Sequence, residues 1–264
     1  MGSLATVVKG TLRKMTRPPI IKAVVCDSLT FLGANALHDL YDQVARLERE
    51  NVGGVLIEAG CALGGSAIVI AKAKSKARPL FVYDVFGMIP PPSEKDGEDV
   101  HRRYDVIRSG ASEGIGPRQY YGYEEDLLEK VTGHFRRHDV DVEENNVHLV
   151  KGLFQDTLHV RGEVALAHID GDWYESVMTC LERIVPRLAL GGVLVIDDYY
   201  SWSGCRTAVD EYFCDRTDEY DFVEKTRLHV VRRHPETASR AAPTEASWDR
   251  AASRMRRASR RSLT

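Results

Sequence analysis

The sequence predicts an α/β fold, a doubly wound, seven-stranded mixed sheet with one lid insertion. Short apolar runs alternate with segments of helical periodicity along most of the chain, as in sheets built from strand–helix units. Several of these runs are apolar on both faces, which is typical of strands buried inside a parallel sheet. All but one of the connections are short. Together these observations predict a mostly parallel sheet with helices on both sides.

The predicted elements follow one another in a regular order. Helical periodicity covers 35–50, 65–77, 123–138, 174–188 and 204–216. Strands are predicted at 53–59, 79–86, 146–151, 164–170, 192–197, 221–225 and 228–233. A closing antiparallel strand makes the sheet mixed. Segment 88–122 contains Pro90, Pro91 and Pro92 and is too long for an inert connection, so we expect it to be a lid or substrate loop.

Composition and charge exclude several classes of function. The 264-residue chain is 43% hydrophobic and 28% charged, with a formal net charge of −3, which gives no overall attraction to nucleic acid or membranes. No apolar run approaches the ~20 residues of a membrane span, and the start lacks a signal-peptide pattern. The five cysteines are odd in number and scattered, which favours reduced thiols in the cytoplasm over disulfides or a zinc site.

The two ends differ in composition from the rest of the chain. We expect residues 1–34, which are basic, to be a mobile arm or part of a substrate cover, and residues 35–234 to form the catalytic domain. The tail, 235–264, is rich in arginine and has no apolar stripe, so it is expected to be mostly disordered. Attraction of this tail to an acidic partner is the alternative.

Two neighbouring predicted strands end abruptly in acidic residues. These residues are Asp170, Asp172, Asp197 and Asp198. The carboxyl edge is where open α/β sheets place their ligands, and clustered carboxylates repel one another unless a cation lies among them. Oxygen ligands suit a hard divalent cation. The alternative is that the aspartates cap the helices that follow. His168, inside the apolar run, is expected to be a core histidine.

The first predicted strand runs into a glycine turn. Gly60 and Gly64 allow a tight turn and close approach of a ligand, but Ala62 breaks the dinucleotide-binding pattern G-x-G-x-x-G. Asp84 ends the second strand, where a carboxylate can accept hydrogen bonds from a ribose. Glu58 would repel a pyrophosphate and attract a cationic amino-acid group. A cofactor with a ribose and cations but no phosphate, S-adenosylmethionine, fits these residues.

With these residues the chain resembles class I S-adenosylmethionine-dependent methyltransferases, and within them the metal-dependent macrocin-type sugar O-methyltransferases of actinobacterial natural-product pathways. The resemblance covers about residues 50–232 and implies a Rossmann-like methyltransferase fold. The matching stretches are Val55–Ser66, Tyr83-Asp84, Tyr120–Leu128, Val150–Leu158, His168–Ser176, Ile196–Tyr199 and Ser203–Arg206.

The resemblance also implies a role for each site residue. The cofactor would contact Glu58, Gly60, Gly64, Ser66, Asp84, Gln155, Asp156, Thr157 and Asp170. Of these, Gln155, Asp156 and Thr157 would surround the adenine. Mg²⁺ or Mn²⁺ would be held by Asp170, Asp197 and Asp198, and Asp172 matches the position of the general base. A homodimer is expected by the same resemblance.

The acceptor is expected to be a small molecule or an oligosaccharide. Methylation of a sugar hydroxyl is favoured by the polar, aromatic-dotted lid region. Tyr120, Tyr121 and Tyr123 are expected either to form the floor of the acceptor pocket or to pack in the core. A catechol or other phenol remains an alternative, since paired oxygens also chelate a metal. A metal-dependent hydrolase or phosphotransferase would use clustered aspartates too, but no phosphate-binding G-x-x-x-x-G-K-[ST] is present. The absence of an Asn-Pro-Pro-Tyr-like block argues against nucleic-acid base methylation.

Overall fold

A seven-stranded sheet with the order β3-β2-β1-β4-β5-β7-β6 forms the centre of the protein. The structure, a computed structural model, describes residues 18–234. The strands are β1 Val55–Ala59, β2 Leu80–Asp84, β3 Val147–Lys151, β4 Val164–Ile169, β5 Leu188–Ile196, β6 Tyr220–Glu224 and β7 Leu228–Arg232. The helices are α1 Pro19–Cys26, α2 Ala34–Arg49, α3 Gly65–Ala73, α4 Glu98–Arg108, α5 Leu127–Arg137, α6 Phe154–Thr157, α7 Tyr174–Ile184 and α8 Ser203–Phe213.

The predicted fold class is confirmed. Strands β1 to β5 pair in parallel, and β7 pairs antiparallel with both β5 and β6, so the sheet is mixed. The chain winds outward from β1 to β3 and then crosses to β4 on the other side of β1. The strand order therefore reverses between β1 and β4, and ligands bind in the crevice that such a reversal opens at the carboxyl edge.

The boundary between α7 and β5 differs from the prediction. The helix predicted over 174–188 ends at Ile184, and a short 3-10 turn with Pro186 follows. Strand β5 then begins at Leu188, four residues before the predicted strand. Proline lacks the backbone N–H that a helix needs and ends it here. The result is a long strand at the centre of the core.

The N-terminal segment also differs from the expected arm. Helix α1 packs on α3 and buries Ile21 and Val24 in the core, so this part of 1–34 belongs to the folded domain. Pro19 is the first helical residue, where its missing N–H costs nothing. The rest of the predicted arm, 1–17, and the arginine-rich tail, 235–264, lie outside the described residues.

The insertion, 88–122, folds onto the carboxyl edge of the sheet. Its helix α4 contacts α8, and its buried residues form a separate small core together with Trp173, which precedes α7. That core consists of Ile89, Val100, Ile107, Tyr120 and Trp173. Within 18–234, no helix has the length and apolar character needed to cross a bilayer.

Candidate active site

Three aspartates converge at the carboxyl edge of β4 and β5. Asp170 follows β4, and its backbone N–H donates to the carbonyl of Ala59 at 2.8 Å, so the loop lies directly over the end of β1. One carboxylate oxygen each of Asp170, Asp172 and Asp198 lies within 4.8 Å of the others. Asp172 holds its carboxylate there with a left-handed backbone, φ +54°. That conformation is uncommon for a residue other than glycine and is often found at functional sites.

Within residues 18–234, the ion pairs of the site fall on Asp197, and none is formed by the three converging carboxylates. Burial raises the pKa of Asp170 and Asp198 well above the usual range, and the charges of neighbouring aspartates raise them further. Burial, together with the charges of Asp170 and Asp197, raises the pKa of Asp172 to about 8. Oδ2 of Asp198 is buried without a hydrogen-bond partner among the described residues. A hard divalent cation would supply what these oxygens lack, so the residues fit Mg²⁺ or Mn²⁺.

Asp197 lies in a different electrostatic environment. Its Oδ1 accepts a hydrogen bond from Nε of Arg227 at 2.6 Å and lies 3.3 Å from Nε2 of His168. Burial alone would raise the pKa of Asp197, but these two partners lower it below the usual value. Burial would likewise lower the pKa of His168, yet Glu58 and Asp197 raise it well above the usual value. Asp197 is therefore ionised beside two cations.

The structure groups the four aspartates differently from the prediction. The predicted metal ligands were Asp170, Asp197 and Asp198, with Asp172 apart as the base, whereas the three converging carboxylates include Asp172 in place of Asp197. The cause is tertiary: Arg227, at the start of β7, holds one oxygen of Asp197 away from the cluster. All four aspartates nevertheless line one cavity.

A narrow cleft between β1, β2 and β4 leads to the acidic cluster. Of the predicted cofactor residues it contains Gly60, Asp84, Gln155 and Asp170. The cleft also contains residues that were not predicted as site residues: Val85, Ile89, Pro90, Leu153, Phe154, Gly171 and Ser176. Tyr121, predicted for the floor of the acceptor pocket, lines it too. Leu153 and Phe154 directly precede Gln155 in a stretch that matches the family, so the sequence held a signal for their place in the cleft. Ile89 and Pro90 lie in the insertion, outside the matching stretches, and no sequence signal indicated them.

Asp84 fixes the shape of the glycine turn. Its two carboxylate oxygens accept hydrogen bonds from the backbone N–H groups of Cys61 and Phe86, both at 2.7 Å. Burial raises the pKa of Asp84, and these backbone donors oppose the rise. The carboxylate remains at the cleft, between the turn and the end of β2.

Five of the predicted cofactor residues do not line the cleft. Glu58 is completely buried, and Ser66 donates its hydroxyl hydrogen bond to it. Gly64 adopts a left-handed conformation and faces Val131 and Phe135 of α5. Asp156 is exposed, and the Thr157 hydroxyl donates to the carbonyl of Leu153. These residues either support the structure around the cleft or, like Asp156, face solvent. Their position in a motif alone does not reveal this.

A second cavity of about 300 Å³ opens on the other side of the aspartates. Its lining is polar and apolar in equal measure: the aspartates form the polar side with Arg103, Arg227 and Ser201, and aromatic and apolar residues form the rest. The aromatic and apolar lining residues are Phe31, Leu32, Ile107, Tyr120, Tyr121, Trp173 and Trp202. Tyr123, predicted with the other tyrosines, instead donates its hydroxyl hydrogen bond to the carbonyl of Ile107 and supports the insertion. A small organic acceptor fits a cavity of this size.

The insertion is fastened to both loops that carry the aspartates. Oδ1 of Asp96 accepts from the backbone N–H of Tyr174, the first residue of α7, at 2.8 Å. Oδ2 of Asp99 accepts from the backbone N–H of Ser203, the first residue of α8, at 3.0 Å. Carboxylates are favourable at helix N-termini because they satisfy unpaired N–H groups and complement the helix dipole. These contacts fix the cavity wall relative to the aspartates.

Replacement of Asp99 by alanine is expected to loosen this wall. The loss of a cap costs about 0.5–2 kcal/mol of stability, and we expect a higher KM for the acceptor because Arg103 and Ile107 lie on the same helix. Glu98→Ala is the matched control, since among residues 18–234 Glu98 pairs only with the exposed Arg102 on its own helix. Thermal unfolding and steady-state kinetics test this; equal KM values in both variants would contradict the assigned role.

Comparison with known proteins identifies the family. The profile described as Macrocin-O-methyltransferase (TylF) matches residues 24–224. Demethyldecarbamoylnovobiocin O-methyltransferase of Streptomyces niveus is 31% identical over 211 residues, which cover 77% of this chain and 75% of that protein.

Two further comparisons agree with this assignment. The 8-demethyl-8-(2,3-dimethoxy-alpha-L-rhamnosyl)-tetracenomycin-C 4'-O-methyltransferase of Streptomyces olivaceus is 32% identical over 189 residues, or 69% of this chain and 67% of that protein. The solved structure of the O-methyltransferase NovP matches with a TM-score of 0.64 and 28% identity, covering 78% of this chain and 83% of that one. The chain belongs to the macrocin O-methyltransferase (TylF) family and is an S-adenosylmethionine-dependent O-methyltransferase.

Proposed function

We propose that this enzyme methylates a hydroxyl group of a sugar in a glycoside and that it requires a divalent metal ion. The observation that carries the metal requirement is the convergence of three carboxylates within 4.8 Å; within residues 18–234 the ion pairs of the site fall on Asp197 and not on these three. Mg²⁺ or Mn²⁺ suits an all-oxygen set of this kind. When bound, the ion lowers the pKa of a coordinated hydroxyl.

Asp170, Asp197 and Asp198 are our proposed ligands. Each is at the carboxyl edge and lines the acceptor cavity. A ligand must be deprotonated, which the low pKa of Asp197 already provides. Both contacts of Asp197 fall on Oδ1, which leaves Oδ2 for a cation.

Asp172 is our proposed general base. A base works best when its pKa is near the operating pH, and burial beside Asp170 raises the pKa of Asp172 to about 8. The carboxylate lies at the junction of the cofactor cleft and the acceptor cavity, where it can take the proton of an acceptor hydroxyl. Holding that oxygen beside the methyl donor supplies much of the remaining rate enhancement.

The two cavities support our proposed cofactor and acceptor sites. We propose that S-adenosylmethionine lies in the narrow cleft, with Gly60 and Asp170 beneath it, Asp84 at its ribose and Gln155 near its adenine. The insertion, 88–122, and the loop with Phe31 and Leu32 would cover the acceptor. Aromatic walls suit the faces of a sugar or an attached aromatic group. Two relatives support a glycoside, because their names contain a rhamnosyl tetracenomycin and mycinamicin III.

The same cavity can receive a catechol or another phenol, which stays the second candidate. Its paired oxygens could approach the aspartates, and the aromatic walls would hold its ring.

We further propose that the enzyme acts in the cytoplasm, which the five free cysteines support. We also propose that it is a homodimer, which light scattering on the purified protein tests.

Removal of metal is expected to abolish methyl transfer. Calorimetry with S-adenosylmethionine, with and without Mg²⁺, tests cofactor binding, and transfer of labelled methyl from it to a rhamnoside or a catechol tests the acceptor class. We expect turnover of the rhamnoside that EDTA stops and Mg²⁺ or Mn²⁺ restores. Turnover in EDTA would overturn the metal requirement and leave the methyltransferase assignment intact. Turnover of the catechol alone would overturn the sugar.

A further inference from the structure

A row of hydrogen-bonded side chains crosses the sheet beneath the active site. It begins at Ser66 in the first turn of α3 and passes through Glu58 and His168 to Asp197. Oε2 of Glu58 lies 3.1 Å from Nδ1 of His168, and Nε2 of the same ring lies 3.3 Å from Oδ1 of Asp197. Arg227 closes the row from the other side.

Strand register produces this row. Glu58 on β1 pairs with His168 on β4, and His168 in turn pairs with Val195 on β5, two residues before Asp197. Glu58 and His168 are both 0% exposed, so neither meets the cofactor or the acceptor. Buried ionic groups of this kind are a weak source of stability, because desolvation offsets their attraction. Their geometry points to another role.

We propose that Glu58 and His168 are positioning residues that hold Asp197 by one oxygen so that the other remains directed to the metal ion. This inference rests on the proposed metal requirement. Because His168 contacts carboxylates through both ring nitrogens, the ring cannot turn without breaking one contact. Partners behind a metal ligand fix the orientation of that ligand in the same way in other metal sites.

This arrangement replaces the cofactor role predicted for Glu58. The carboxylate points along the sheet to His168 and accepts from Ser66, and none of it reaches the cleft. A direct contact of Glu58 with the cofactor and a positioning role of Glu58 predict different results for a Glu58 variant. The first requires weaker cofactor binding in a Glu58 variant, and the second requires weaker metal binding.

The test compares metal and cofactor affinity in folded variants. Glu58→Gln and His168→Gln keep the approximate shape but break the charged row. Binding of Mn²⁺, measured by the electron spin resonance of the free ion, is expected to weaken about 10–100-fold in both. Ser66→Ala removes only the hydroxyl that donates to Glu58, so we expect a smaller loss of Mn²⁺ affinity. This substitution also disturbs the fold less than a change of Glu58 or His168.

His229→Gln is the matched control. His229 is also buried, at 1% exposure, and pairs with Val195 from the opposite side on β7. Its Nε2 has no hydrogen-bond partner among residues 18–234, so it lies outside the row. We expect its Mn²⁺ affinity to equal that of the wild type, with thermal unfolding used to confirm that each variant is folded.

The possible outcomes are distinguishable. Wild-type Mn²⁺ affinity in Ser66→Ala and in either folded Gln variant would overturn the positioning role, as would a loss of S-adenosylhomocysteine affinity with Mn²⁺ binding unchanged. An equal loss in His229→Gln would assign the effect to general disturbance of the sheet and also overturn it. If the wild-type protein binds no Mn²⁺, the proposed metal requirement fails first and takes this inference with it.

Discussion

Asp172→Asn is expected to lower kcat by about 10²–10⁴-fold, the usual contribution of a general base, while Mg²⁺ affinity stays close to that of the wild type. Asp198→Asn is expected to lose both turnover and metal binding. The two carboxylates converge on one point, so the pair of variants separates a ligand from a base within the same cluster.

The pH dependence follows from the direction of the pKa shift. Asp172 must be deprotonated to accept a proton, and because burial and the charges of Asp170 and Asp197 raise its pKa to about 8, acidification removes the active form. A bound cation favours the carboxylate and lowers this value. We expect kcat/KM of the wild type to fall as the pH is lowered through the pKa of the metal-bound enzyme, and the residual activity of Asp172→Asn to lack this limb.

Calorimetry with Mg²⁺ and rate measurements across a pH series distinguish whether Asp172 is a general base or a metal ligand. If Asp172→Asn loses Mg²⁺ affinity as strongly as Asp198→Asn does, then Asp172 is a ligand, as its convergence with Asp170 and Asp198 allows. In that case Asp197→Asn would keep most of the metal affinity. This result would reverse the proposed division of the four aspartates and contradict the role assigned to Glu58 and His168.

Gly60→Ala is expected to disrupt both the cofactor cleft and the acidic cluster. Gly60 has a φ of +90°, and a Cβ at this position would lie 1.9 Å from the carbonyl oxygen of Asp170. The backbone of Gly60 is tied to β2, and that of Asp170 to the end of β1, so neither segment can move freely. Backbone strain and overpacking together are expected to cost about 2–5 kcal/mol of stability.

Gly133→Ala supplies the control for this prediction. Gly133 lies in α5, and a Cβ there would meet no atom within 4 Å, so alanine is expected to be neutral or to stabilise by up to about 1 kcal/mol. Urea unfolding compares the two, and calorimetry with S-adenosylhomocysteine measures the cleft. A Gly60→Ala protein with wild-type stability and cofactor affinity would show that the turn relaxes at no cost.

Pattern in the sequence was enough to predict the sheet. Runs such as Val164–Ile169 are buried on both faces and, apart from His168, apolar, because they lie between two layers of helices. The aspartates after β4 and β5 could likewise be placed at one edge, because parallel strands end on the same side. The ends of elements were predicted less well. Helix α7 ends before Pro186, earlier than its periodicity indicated. Helix α1 was not predicted as part of the domain, because it joins the core through only two fully buried side chains.

The side chains that meet within the site depend on distances between strands that are far apart in sequence. Glu58, predicted at the cofactor, lies 110 residues from His168 along the chain, and the register of β1 with β4 joins them. Arg227 reaches Asp197 only because β7 is antiparallel to β5. No spacing within a motif encodes either contact.

By itself, then, the sequence determined the fold class, the acidic edge, the cofactor class and the family resemblance, because each depends on local pattern or residue type. Tertiary structure alone decided which carboxylates converge, which one contacts Arg227 and His168, and that Glu58 and Ser66 are hydrogen-bonded to each other beneath the site. The physical reason is that the charge state and direction of a buried carboxylate are set by its neighbours in space, and strand pairing brings those neighbours from distant parts of the chain.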